Sequence, residues 1–160
     1  MSLLNRRTFV LAALAPLTAC GFTPAYGTGG AARNLQNRVL VDTENSRENY
    51  LLVRELEERL GRATAPTYGL ALKINTQEQG LAIDREGNTR RFNLIGTVGY
   101  ALRDLSTGAI LTSGSVDNFT GYSATGTTVA TLAAETDAQE RLMNILADQI
   151  TTRLFAADLT

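Results

Sequence analysis

Phe92-Asn93-Leu94-Ile95-Gly96-Thr97-Val98-Gly99-Tyr100-Ala101-Leu102 decides the fold. Phe92, Leu94, Val98, Tyr100 and Leu102 fall on one side of an extended chain, with Gly96 between them. Asn93, Thr97 and Ala101, small or polar, fall on the other. Side chains of a strand point alternately to its two faces, so this pattern predicts a long strand over 90–104 with one buried face.

The neighbours on both sides read as strands of the same sheet. Upstream, Asp84-Arg85-Glu86-Gly87-Asn88-Thr89 is a polar turn, preceded by alternating Leu70, Leu72 and Ile74 in a strand over 68–74. Downstream, Ser106-Thr107-Gly108 marks a tight reversal into a strand over 109–120 that forms a hairpin with 90–104. Its alternation slips between Leu111 and Val116, which predicts a bulge near Gly114. Arg38-Val39-Leu40-Val41-Asp42 is a short β-branched run and predicts the first strand.

Two helices complete the set. Asn45 with Glu48 predicts a capping box, and Tyr50, Val53, Leu56 and Leu60 recur at helical spacing before Gly61 stops a helix over 46–61. Glu55 with Arg59 and Glu58 with Arg62 are acid-before-base pairs four apart, expected on a solvated face. After a Ser/Thr/Gly loop over 121–128, the stripe Leu132, Ala138, Leu142, Ile145, Leu146, Ile150 and Leu154 predicts a final helix about 40 Å long. The order β-α-β-β-β-α predicts an α+β two-layer sandwich: a four-stranded mixed sheet with two helices on one face.

Composition narrows the function. The chain has 160 residues, 44% hydrophobic and 19% charged, which suits one packed domain. A formal charge of −1 argues against a nucleic-acid partner. Having no His, the chain lacks the usual neutral-pH base and the commonest metal ligand. A single Cys excludes an intramolecular disulfide and a Cys-rich zinc site. Lys73 is the only lysine, and neither a G-x-S-x-G nor a P-loop pattern occurs. Neither a catalytic residue nor a metal site is therefore expected.

The chain starts with a processing signal. Arg6 and Arg7 precede the apolar run 9–15, and Leu17-Thr18-Ala19-Cys20 resembles the lipobox of bacterial lipoproteins. The apolar run is far short of the roughly 20 residues needed to span a bilayer. Residues 1–19 are thus read as a signal peptide, exported by either the general or the twin-arginine route. Cys20 is expected to carry a covalent lipid, an N-acyl and S-diacylglycerol anchor, in place of any cofactor. Residues 20–34 read as a tether and 35–160 as one domain; Phe22 and Tyr26 are either membrane-resting or plain spacer. After cleavage 13 basic residues face 16 acidic ones, a net charge of −3.

Together, the lipobox running into Gly21-Phe22-Thr23-Pro24, the strand–turn–strand around Arg85-Glu86-Gly87-Asn88, and the closing helix with Ala138-Gln139-Glu140-Arg141-Leu142 and Leu146-Ala147-Asp148-Gln149-Ile150 resemble the LptE family of outer-membrane lipoproteins, in its divergent alphaproteobacterial form. The resemblance covers nearly the whole chain and rests on the order and spacing of these segments. It implies a lipid-anchored plug of the LptD β-barrel that assists lipopolysaccharide on its way to the outer leaflet. It also implies a basic contact to lipopolysaccharide in the turn after the second strand, where Arg85 stands, with Arg90 and Arg91 close by. Arginine can grip a lipid A phosphate with two parallel hydrogen bonds; a plain solvated turn is the other reading. A second basic contact, expected before the last helix, has no counterpart, since 120–134 holds neither Lys nor Arg. The competing readings are an enzyme, which would show a pocket of converging ionisable groups, and another envelope lipoprotein acting as assembly factor or periplasmic adaptor.

Overall fold

The computed structural model describes residues 31–83, 87, 89–157 and 159. Along the chain run α1 (Ala31–Leu35), β1 (Val39–Val41), α2 (Arg47–Leu60), β2 (Tyr68–Ile83), β3 (Thr89–Asp104), β4 (Ile110–Ser123) and α3 (Thr128–Ala156). The strands form one sheet in the order β1-β2-β3-β4. β1 lies parallel to β2, which requires the crossover that α2 supplies, and the other two pairs are antiparallel. This is the α+β sandwich that the alternation predicts, with the short α1 added in front. Ala32 and Leu35 of α1 are fully buried.

Even-numbered residues of β2 and β3 face the helices. Leu70 pairs with Leu102, Leu72 with Tyr100 and Ile74 with Val98, and Val98 continues to Val116 of β4. Leu142, Leu146, Ile150 and Leu154 of α3 close this core, all at 0% exposure. Gly96 lets the helix come down onto the sheet: a Cβ there would stand 3.0 Å from both Leu142 Cδ2 and Leu146 Cδ1. Thr120 fastens the same contact, its hydroxyl donating to the Ala138 carbonyl at 2.9 Å.

Several local details differ from the sequence reading. The cap of α2 is Ser46, whose Oγ accepts from Asn49 N–H at 3.1 Å, and not Asn45. Asn49 answers by accepting from Glu44 N–H at 2.9 Å through Oδ1, the reciprocal part expected of Glu48. On α2, Val53, Leu56 and Leu60 are buried as their spacing predicts, whereas Tyr50 is 68% exposed and Leu51 is buried in its place. β2 runs nine residues past 74, because Asn75 to Gly80 keep main-chain register with β3 although their side chains no longer alternate in polarity.

The bulge of β4 lies at Leu111, not at Gly114: Thr112 pairs with Leu102 and Ile110 with Arg103. Gly114 stays in register opposite Tyr100, and its missing side chain makes room for the ring, since a Cβ would come 2.8 Å from the Tyr100 hydroxyl. Leu132, placed in the core stripe by its spacing, is 62% exposed, and Ile145 is half-buried.

Candidate functional site

One end of the sandwich gathers the far ends of β2 and β4, the start of β3 and the first turns of α3. Phe92 and Tyr122 are register partners and their rings stack, with centroids 5.3 Å apart and planes 16° off parallel. The Tyr122 hydroxyl donates to Glu78 Oε2 at 2.5 Å. Burial pushes the Tyr122 pKa well above the ordinary phenol value, and the Glu78 carboxylate adds to the rise. The phenol therefore stays protonated, a permanent donor clamping β4 to β2 across β3.

Arg90 and Arg91 begin β3 at this end, and both are exposed. Arg91 pairs with Ser123, while the Arg90 carbonyl accepts from Ala124 N–H at 2.9 Å. Adjacent residues of a strand project to opposite faces, so the two guanidinium groups start from different sides of the sheet. Arg85 and Cys20 lie outside the described residues. The sequence reading did not single out Leu81 or Val129, which are 55% and 78% exposed here, and it placed Leu132, 62% exposed, in the core stripe. Leu81 is the extra residue where β2 slips against β3, a displacement with no sequence signal beyond Gly80 before it. Cations beside exposed apolar groups suit an amphiphilic ligand better than acid–base chemistry.

Between α2, α3 and β4 lies a shallow cleft of about 360 Å³ in which Arg54 is paired with Glu55 and Arg141 with Asp137. Glu55, 7% exposed, binds Arg54 at 3.0 Å, Arg59 at 3.0 Å and the Asn144 amide at 2.8 Å. Burial pushes the Glu55 carboxyl up, but hydrogen bonds from Arg59, Arg54 and Asn144 more than offset it and hold it below the usual carboxylate range. Arg141 binds Asp137 at 2.9 Å on the other wall. The Glu55–Arg59 pair thus braces helix against helix instead of lining a solvated face, and Arg62 turns from Glu58 to Glu57 at 2.9 Å. Among the described residues, no group of three His, Cys, Asp or Glu side chains could hold a metal ion, and no helix is long and apolar enough to cross a membrane.

Among the described residues, no helix covers the second sheet face. Lys73, Asn75, Gln77, Thr97, Ser113, Ser115 and Asp117 are exposed on it, the polar surface that Asn93, Thr97 and Ala101 predict.

A family model described as LptE, lipopolysaccharide-assembly, matches residues 37–154. Among curated protein sequences none matches significantly. Of solved structures, a protein of Caulobacter crescentus CB15 classed as a lipoprotein is 27% identical, with a TM-score of 0.69 over 81% of this chain and 94% of that one. Rare lipoprotein B of Shewanella oneidensis shares the fold at 15% identity and TM-score 0.57, over 74% of this chain and 92% of its own. Lipoprotein B of Nitrosomonas europaea shares it at 16% identity and TM-score 0.59, over 85% and 91%.

Proposed function

The chain belongs to the LptE lipopolysaccharide-assembly family, and from that premise we propose that it is the lipid-anchored partner of the LptD barrel, seated in the barrel lumen at the outer membrane. The family is one of envelope lipoproteins that assist assembly and are not enzymes. The observation that carries the reading is the extent of the match: residues 37–154 take in β1 through nearly all of α3, and so the whole sandwich. The exposed polar face from Lys73 to Asp117 supports it, because the lumen of a large outer-membrane barrel is itself polar. In this reading Cys20 carries the acyl chains that hold the domain at the membrane, and 20–30 link the anchor to α1.

Arg85, Arg90 and Arg91 supply phosphate contacts to lipopolysaccharide, and Leu81, Val129 and Leu132 at the same end offer apolar surface for its acyl chains. The deciding experiment is a crosslinking pull-down of the lipidated chain from envelopes, beside Cys20→Ser. The expected result is a large barrel protein captured by the wild type and loss of membrane anchoring in Cys20→Ser. Capture of periplasmic proteins without a barrel would replace this reading with that of a periplasmic adaptor.

A further inference from the structure

β4 is the long edge of the sheet, bonded to β3 on one side only among the described residues. Its hydrogen bonds show which way each residue turns its main chain. Ala124 N–H donates to the Arg90 carbonyl, so even-numbered residues bond inward to β3. Phe119 N–H donates instead to Asn118 Oδ1 at 2.8 Å, and the Gly121 carbonyl accepts from Arg141 Nη2 at 3.3 Å. The N–H and C=O of one residue in an antiparallel ladder point the same way, so odd-numbered residues point outward. Asn118 thus covers the outward N–H of Phe119, and Arg141 the outward carbonyl of Gly121. Ser113, Ser115 and Asp117 keep theirs turned away from β3, with exposed side chains. Sheet edges are ordinarily defended by lysine, proline or inward charge. Ile110–Ser123 contains no Lys, Arg or Pro, and Asp117 is its one charge.

The strand is also complementary to itself. The bulge at Leu111 puts Ile110 on the open face with Ser113, Ser115, Asp117 and Phe119. Antiparallel pairing of two β4 strands about Ser115 sets Ser115 against Ser115, Ser113 against Asp117 and Ile110 against Phe119. Ile110 and Phe119 are 67% and 59% exposed in the single chain, and each would cover the other at both ends of the ladder. Asp117 meets a hydroxyl, whereas a centre moved to Asp117 would oppose like charges. Only the Ser115 centre brings Ile110 to Phe119.

We propose that β4 is a self-recognition edge: two copies of this chain join antiparallel through residues 113–117 into one continuous eight-stranded sheet, with the two-fold axis at Ser115. The inference stands apart from the LptD reading, and a barrel pull-down does not bear on it.

The test uses the full-length chain in membranes and in detergent micelles. With Ser115→Cys, the two introduced thiols oppose each other at a Cα spacing of about 5.5 Å, within disulfide reach. Mild oxidation should give a covalent dimer that the unsubstituted chain, with Cys20 alone, does not. Ser113→Cys alone should give none, and Ser113→Cys with Asp117→Cys should restore it. Ser115→Pro removes an outward N–H and leaves the β3 ladder intact, so sedimentation should show a dimer dissociation constant raised at least about tenfold. Should that variant fail to fold, Ser115→Lys is read the same way. A chain that sediments as a monomer and gives no Ser115→Cys dimer overturns the proposal. So does a dimer that survives both Ser115 variants, or a disulfide formed only with a different protein.

Discussion

The two faces of the sheet divide the protein's work. On the covered face, Leu70, Val98, Leu102 and Val116 are each 0% exposed, and α3 comes down with no gap that a methyl group could enter at Gly96. On the open face the same strands present Lys73, Asn75, Thr97, Ser115 and Asp117 to solvent. One ladder of main-chain hydrogen bonds serves both, so the difference lies in side chains alone. Stability should therefore respond to the even-numbered residues and association to the odd-numbered ones.

The sharpest way to break that division is Leu146→Ala. Leu146 is fully buried against Gly96, and the truncation leaves a cavity that neighbouring side chains fill only in part. Chemical denaturation should show a loss of about 3 kcal/mol. A loss below about 1 kcal/mol would mean that the covered face does not carry the fold.

Glu55→Gln comes next. It keeps the shape but weakens three hydrogen bonds, two from Arg54 and Arg59 within α2 and one from Asn144 that joins α2 to α3, and should cost about 2 kcal/mol at neutral pH. The folded pKa of Glu55 is lowered from 4.5, so its contribution is complete above that ordinary value and is lost as pH falls through the lower folded one. Urea unfolding measured against pH should show a steeper decline on the acid side for the wild type than for Glu55→Gln. Parallel curves would remove Glu55 from the acid response.

How much of this was legible in the sequence follows from what each residue does. Phe92 to Leu102 showed their face because every second residue is apolar, and the stripe Leu142, Leu146, Ile150 and Leu154 showed the helix that covers them. The continuation of β2 past Ile74 was not legible, because Thr76, Gln77 and Glu78 contribute main-chain pairing and leave no hydrophobic pattern. The bulge was legible as a slip of parity but not in place, since Gly114 is needed for the Tyr100 ring and is unrelated to the slip. Glu55 and Arg59 have the spacing of a solvated pair, and only the arrival of Asn144, 89 residues away, makes them a brace. Of the candidate site, the arginines were visible as residues. The apolar company of Leu81, Val129 and Leu132 depends on which side chains the register slip of β2 and the packing of α3 leave exposed.

The open face gives the next test. Thr97 is exposed there, with Asn75 and Asp117 as its register partners. Thr97→Arg should change stability by no more than about 0.5 kcal/mol, as an exposed substitution does. In the crosslinking pull-down it should reduce barrel capture severalfold if this face lies against the lumen wall. Unchanged capture would assign the barrel contact to the helix layer instead.

The smallest effects on stability, and the finest distinction between the faces, are expected from Arg90→Ala and Arg91→Ala made separately. Both residues are exposed, so neither change should alter the unfolding midpoint measurably. Their alternation along β3 makes them probes of opposite sides. Lipopolysaccharide capture by the purified chain should fall more for one than for the other, because a phosphate group held on one face is within reach of one guanidinium and screened from the other by the sheet itself. Equal, partial losses would place the phosphates at the hairpin tip beyond the sheet, where both arginines can bend toward them. No loss from either, nor from the pair combined with Arg85→Ala, would return this turn to solvent.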